Sequence, residues 1–159
     1  MTRTRATFRD GRWVILGTPG PDVIVGTIGN DTIRSFGGDD VVCAGPGDDV
    51  VDGGAGNDLI LDESGDDVID GGSGNDLIGN GAGDDEMMGG PGNDWLFGGR
   101  NDDTLRGGSG EDRLVGGPGR DRLYGEYGDD FLVASRNDRT IDGGPGLDVV
   151  IGFGPLWFG

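Results

Sequence analysis

Two stretches eighteen residues apart, Gly53–Leu61 (GGAGNDLIL) and Gly71–Gly79 (GGSGNDLIG), are nearly the same nine letters, and Asp62–Asp70 (DESGDDVID) between them is an altered copy. Set out in rows of nine, this frame runs without a slip from Gly17 to Ile151, fifteen rows in all. The eighth column is apolar in every row, from Ile24 and Ile33 to Ile141 and Val150. The sixth is aspartate in 14 of 15 rows, failing at Arg139, and the fourth is glycine in 13 of 15, failing at Asn101 and Asn137. Low-complexity chains repeat composition; this one repeats position, which sets plain disorder aside as the finished state.

Each row reads as one turn and one strand. Glycines in the first, second and fourth columns permit positive φ and let a tight turn bring carbonyls toward a common centre. The last three residues suffice for a short strand whose middle side chain faces inward while its neighbours face out. A second period lies over the first. Odd rows carry GGAGND, GGSGND, GGPGND and GGSGED, starting at Gly53, Gly71, Gly89 and Gly107; even rows carry AGPGDD, DESGDD, NGAGDD and GGRNDD, starting at Ala44, Asp62, Asn80 and Gly98. The structural unit is therefore eighteen residues, one coil of two strands and two turns, with odd rows stacking on odd and even on even.

Composition narrows the function. Of 159 residues 38 are glycine and 33% are hydrophobic, too few for an ordinary globular core, so another force must help hold the fold. Acids outnumber bases 30 to 12, a formal charge of -18, which argues against nucleic acid or an anionic membrane surface as partner and for cations. Histidine is absent and Cys43 is the only cysteine, so neither a zinc site nor an internal disulfide is available. The same lack of histidine, with serines confined to turn columns, argues against an enzyme. No apolar stretch is long enough to span a bilayer, and the start, MTRTRATFRDGRW, has no apolar run of a secretory leader.

The row pattern GGxGxDxUx resembles the repeats-in-toxin (RTX, haemolysin-type calcium-binding) nonapeptide family over about 85% of the chain. The resemblance implies an all-β fold, a right-handed parallel β-roll (a β-solenoid) with two nonapeptides per coil and about 7–8 coils, and calcium lodged between stacked turns. Electrostatics agrees. Strands stack about 4.8 Å apart, so column-six aspartates on one side form a ladder with about 1 kcal/mol of repulsion per neighbouring pair even at water's dielectric. Hard oxygen donors in a flexible cage suit Ca²⁺ better than Mg²⁺. By analogy with the family, each ion takes aspartate oxygens from two stacked rows and backbone carbonyls around their glycines. The first-choice ligands are Asp40, Asp58, Asp76, Asp94, Asp112 and Asp130, with carbonyls of Gly53, Gly71, Gly89 and Gly107; the second set is Asp49, Asp67, Asp85, Asp103 and Asp121. Eight odd and seven even rows leave at most about 13 gaps for ions. Glu63, Arg100, Arg120 and Arg136 depart from the turn pattern on the even side, and Arg139 removes a ligand, so the last even site is expected to be empty or badly formed.

The outward columns differ between the two sides. The odd face carries Val41, Leu59, Leu61, Leu77, Trp95, Phe97, Phe131 and Val133, an apolar stripe that predicts an interface with a second roll or another domain. The even face mixes Thr32, Arg34, Asp52, Asp70, Glu86 and Arg106 with a few apolar residues. Residues 1–16 read as an N-terminal cap, a degenerate row (FRDGRWVIL from Phe8) with Trp13 in place of the aspartate; 17–151 as the roll; and 152–159, with Phe153, Leu156, Trp157 and Phe158, as an apolar C-terminal cap. An uncapped roll would expose strand edges and grow end to end, so a filament is an alternative.

The expected function is that of a secreted, extracellular structural or adhesive module that is ordered by calcium. An ion required at every turn is part of the fold before it is a signal. Calcium is scarce in cytosol and plentiful outside, so such a chain can leave unfolded and set on arrival, by a type I-like route. The alternative is a C-terminal export and folding module of a larger secreted enzyme or toxin.

Overall fold

The computed structural model describes residues 5–152, and among these there are strands and turns but no helix, hence none long and apolar enough to cross a membrane. The odd rows supply an eight-stranded sheet running from Val23–Val25 to Val149–Gly152; the even rows supply seven strands, Asp31–Phe36 to Thr140–Asp142, of a nine-stranded sheet. Successive repeat strands of a sheet are parallel and paired at a constant offset of eighteen, as in Val42↔Ile60, Ile60↔Ile78 and Met87↔Leu105. The molecule is thus a β-solenoid whose chain alternates between the two sheets.

The pleat explains the columns. In Leu59–Leu61 the middle residue, Ile60, is fully buried and its neighbours are not, and the same holds for Ile78 and Leu96. The core is one continuous file of column-eight residues from both sheets, widened by Ala44 and Ala134 and reached at its ends by Ile15, Ile141 and Val150. Each row thus orders nine residues around one large apolar side chain. Burying that side chain contributes about 1.5–3 kcal/mol, whereas fixing backbone costs about 1–2 kcal/mol per residue. Hydrophobic burial alone falls well short, and the turns must contribute.

They contribute first through backbone pairing, because the ladder does not stop where the strands end. Gly56 N donates to Ser73 O (2.8 Å), Gly74 N to Pro91 O (2.9 Å) and Gly92 N to Ser109 O (2.8 Å), so turn stacks on turn as strand stacks on strand.

At the amino end, β1 (Arg5–Arg9) and β2 (Arg12–Thr18) form an antiparallel hairpin on the edge of the even sheet. Asp10 and Gly11 turn it with φ of 50° and 83°, the doubly positive pair of a two-residue type I′ turn. β2 keeps the repeat frame, with Ile15 opposite Ile33 and Trp13 opposite Asp31. β1 leaves it: the Asp-Gly turn sends the chain back along the edge, where the degenerate row led us to expect half a coil. Phe8 and Trp13 meet there edge to face at 5.2 Å. At the other end Ile141 and Val150 are only partly buried; the apolar cap expected at 152–159 lies, apart from Gly152, outside the described residues.

Candidate metal centre

The site begins with what glycine permits. Column-two Gly72 and column-four Gly74 have φ of +100° and +130°, and a Cβ on either would strike the carbonyl oxygen of the glycine one coil earlier, Gly54 or Gly56. Only a bare α-carbon lets neighbouring turns lie this close.

Into this stack the column-six aspartates point one coil backward. On the odd side the Oδ1 atoms of Asp40, Asp58, Asp76, Asp94, Asp112 and Asp130 each accept the backbone N–H of the aspartate eighteen residues before, at 2.7–2.8 Å. On the even side Asp49, Asp67, Asp85, Asp103 and Asp121 do the same at 2.7–3.1 Å. All are buried. Each carboxylate has a second oxygen, and for every one of these eleven except Asp67 that Oδ2 is buried with no hydrogen-bond partner.

The unpartnered oxygens share a small gap with column one. A Cβ on Gly53 would lie 2.9 Å from Asp58 Oδ2; one on Gly71 would lie 2.6 Å from Asp76 Oδ2 and 3.0 Å from Gly89 O. Cβ atoms on Gly89 and Gly107 would collide with the Oδ2 of Asp94 and Asp112, and each would come 2.7 Å from the carbonyl of the next column-one glycine, Gly107 or Gly125. Every such gap therefore gathers an anionic oxygen and a carbonyl oxygen from adjacent coils in a space that only glycine leaves open. The donors are hard and negatively charged, and their charge is unmet by the protein, which is the donor set that fits Ca²⁺.

Titration behaviour follows from the same burial. Desolvation raises the carboxyls of Asp49, Asp58, Asp85, Asp112 and Asp121 to about 6, Asp94 to about 7 and Asp103 to about 8, with neighbouring aspartates adding to the rise. Asp40, Asp67, Asp76 and Asp130 move upward for the same leading reason.

The end coils are built differently. Thr18 and Thr27 stand in column two, and each gives its N–H to the Oδ2 of its row's aspartate, Asp22 at 2.6 Å and Asp31 at 2.5 Å. Their hydroxyls add bonds of 2.9 and 3.2 Å to the same carboxylates. In the fourteenth row, where Arg139 fills column six, Asp138 steps in from column five: its Oδ1 accepts Asp121 N at 3.2 Å and Ser135 Oγ at 2.7 Å, and its Oδ2 accepts Ser135 N at 2.6 Å. A carboxylate is therefore present where the sequence reading found none, but both its oxygens are already engaged. Arg139 instead joins Arg120 on Asp102, at 3.4 and 2.8 Å.

Two features escaped the sequence reading. Column five forms its own ladder running the other way: Asn57 Oδ1 accepts Asn75 N and Asn75 Oδ1 accepts Asn93 N, both at 2.8 Å, with Asp48, Asp66 and Asp84 doing likewise on the even side. Asp62, in column one where seven of the eight odd rows carry glycine, puts a further carboxylate beside Asp49 and Asp67. An acid in a glycine column was the available signal.

The family model of the RTX calcium-binding nonapeptide repeat matches four times, over residues 16–51, 44–78, 79–114 and 106–141. The chain belongs to that family. RTX repeats bind Ca²⁺, and the paired aspartate files of this RTX roll are consistent with it. A comparison with curated proteins finds no match.

On the outer surface of the RTX roll's odd sheet, Val41, Leu59, Leu77, Trp95 and Phe131 fall in one file, broken by Arg113 between Trp95 and Phe131. The guanidinium of Arg113 lies 4.9 Å from the Trp95 ring centroid. Leu61, Phe97 and Val133 belong to the second file, broken by Gly79. Trp95 is 45% exposed, and the edge residues Val23 and Val149 are more so, at 72% and 51%.

Proposed function

We propose that this RTX roll is an extracellular structural or adhesive module that folds as it takes up calcium and associates through its odd-row face. One observation carries the calcium half of the reading: a file of buried, unpartnered aspartate Oδ2 atoms on each side. Asp40, Asp58, Asp76, Asp94, Asp112 and Asp130, with the carbonyls of Gly53, Gly71, Gly89 and Gly107, hold the odd-side ions; Asp49, Asp67, Asp85, Asp103 and Asp121 hold the even-side ones. Calcium, when bound, supplies the positive charge that these buried carboxylates lack. The interior coils gain most, and the ceiling of about 13 ions falls because Thr18, Thr27 and Ser135 already satisfy the acids of the end rows. In this reading 17–151 is the roll, and 1–16 and 152–159 cap it.

The extracellular setting is the one in which such sites fill. Calcium sites of extracellular modules have dissociation constants of about 10⁻⁴ to 10⁻³ M, a range that extracellular calcium fills and cytosolic calcium does not. A type I-like export of the unfolded chain fits that difference. The association half rests on the apolar files of Val41, Leu59, Leu61, Leu77, Trp95, Phe97, Phe131 and Val133, interrupted by Arg113 and Gly79, of which Leu61, Leu77, Trp95 and Phe97 are exposed.

Small-angle scattering of the chain in chelator and in millimolar calcium tests the first half: an expanded coil should compact, and an unchanged radius would refute it. Light scattering in calcium tests the second. Wild type should exceed the mass of one chain and a Leu59→Asp, Trp95→Asp double variant should not; a wild type already at one chain ends that part.

A further inference from the structure

We infer that Asp49, Asp62 and Asp67 form a three-carboxylate cation site that binds Ca²⁺ more tightly than the two-carboxylate gaps and fills first. The inference rests on the calcium reading above and concerns a feature of this chain alone, the acid at column one.

The three residues come from two successive even rows, and one carboxylate oxygen of each lies within 4.8 Å of the others. No other group of three acidic, cysteine or histidine ligands is brought together among the described residues. Asp49 is 1% exposed and Asp62 9%. One oxygen of each is spoken for: Asp49 Oδ1 accepts Asp31 N at 2.7 Å and Asp62 Oδ1 accepts Glu63 N at 2.7 Å. The Oδ2 atoms of both remain buried without partners. Asp67 Oδ1 accepts Asp49 N at 2.8 Å, its Oδ2 meets Asn80 Nδ2 at the long distance of 3.4 Å, and its carboxylate stands within hydrogen-bond reach of the Asp62 carboxyl. Among the described residues no arginine forms an ion pair with any of the three. Two desolvated, unpartnered oxygens and a third weakly held one thus converge with three formal negative charges.

Column one of the odd rows is glycine, or serine at Ser35, so there only column-six residues bring a carboxylate to the gap. Here Asp62 stands in that column, and one of its carboxylate oxygens lies within 4.8 Å of those of Asp49 and Asp67. Ligand charge count is what tunes calcium affinity across oxygen-donor sites, and a third carboxylate moves this site toward the tight end. A flexible, anionic oxygen cluster of this kind favours Ca²⁺ over the smaller, more strictly octahedral Mg²⁺. The ion bound first would lock the fourth and sixth rows together and give neighbouring coils a template to stack on.

The test titrates the whole chain with calcium chloride in a competing chelator, followed by calorimetry, for wild type, Asp62→Gly and Asp62→Asn. Asp62→Gly installs the residue of the odd rows, and Asp62→Asn keeps the side-chain shape if the glycine variant folds poorly. The expected result is a first-ion affinity lower by about tenfold in both variants, with the saturated circular dichroism unchanged. First-ion affinity that is unaltered or higher without the Asp62 charge would overturn the assignment. A wild type that takes up no calcium would instead sink the calcium reading beneath it.

Discussion

The interior coils and the end coils solve one problem in two ways. Both bury a column-six aspartate, in every row from the first to the thirteenth. In the first coil Asp22 and Asp31 are satisfied by threonines four residues earlier, through backbone and hydroxyl donors. In the interior, column two is glycine or a residue without a hydroxyl to offer, and Asp58, Asp76, Asp94 and Asp103 each keep an unpartnered buried oxygen. The lesson is that an aspartate in this column does not by itself call for a cation; one whose second oxygen has no donor leaves a charge for a cation to meet. On the proposed reading metal dependence therefore belongs to the middle of the roll, while threonine donors serve the acids of its first coil.

The largest contrast should come from deleting the acid in each setting. Asp94→Ala removes the acceptor for Asp76 N and a buried, unpartnered oxygen proposed to meet an ion, and should raise the calcium concentration at half-folding by about tenfold or more. Asp22→Ala loses the hydrogen bonds from Thr18 within its own turn, should cost about 1 kcal/mol or a little more, and should leave that midpoint nearly in place. Equal shifts in a calcium titration of the two variants would erase the distinction.

Glycine substitution in column four probes packing in the same way. Gly74 has φ +130° and its added Cβ would strike Gly56 O, whereas a Cβ on Gly29 meets nothing within 4 Å. Gly74→Ala should cost more than the roughly 1–2 kcal/mol of left-handed strain, since coil spacing must also give; Gly29→Ala should stay within about 0.5 kcal/mol. Thermal melts in saturating calcium read both.

Acid should act on the middle of the roll. Without metal the interior carboxyls titrate above their ordinary value, so between about 8, for Asp103, and 3.8 the folded chain binds more protons than the unfolded one. Stability of the metal-free chain therefore rises as pH falls through that window. In chelator, strand signal should grow from pH 8 toward pH 4.5. With calcium present the sign reverses, because protons then compete with the ion for the same oxygens. A chelated sample indifferent to pH would show that these acids are not desolvated.

The smallest effect sharpens the end coil. Thr27→Val deletes the one hydroxyl bond to Asp31 and keeps the backbone donor; it should lower stability by about 1 kcal/mol and leave calcium stoichiometry untouched.

Much of this architecture was legible because it is written as residue identity at fixed spacing. The inward files, the aspartate files and the eighteen-residue coil all follow from columns eight, six and four, and the register Val42↔Ile60↔Ile78 repeats them directly. What escaped reading depends on which oxygen meets which donor. The column-five ladder uses asparagine and aspartate interchangeably, because only an acceptor is needed there, so the column looks variable. Asp138 replaces Arg139 through a local turn closed by Ser135, a one-residue slip that strict columns hide. Asp62 looks like a lost glycine until stacking sets it beside Asp49. At the amino end, the Asp10-Gly11 turn outweighs the faint repeat frame of the residues before it.

Far-UV circular dichroism of the whole chain at neutral pH, recorded in chelator and again after millimolar calcium, tests the role of the unpartnered aspartate oxygens most directly. A coil spectrum that converts to strand on adding calcium is the predicted result. A spectrum already rich in strand in the chelator, and unmoved by the ion, would contradict it.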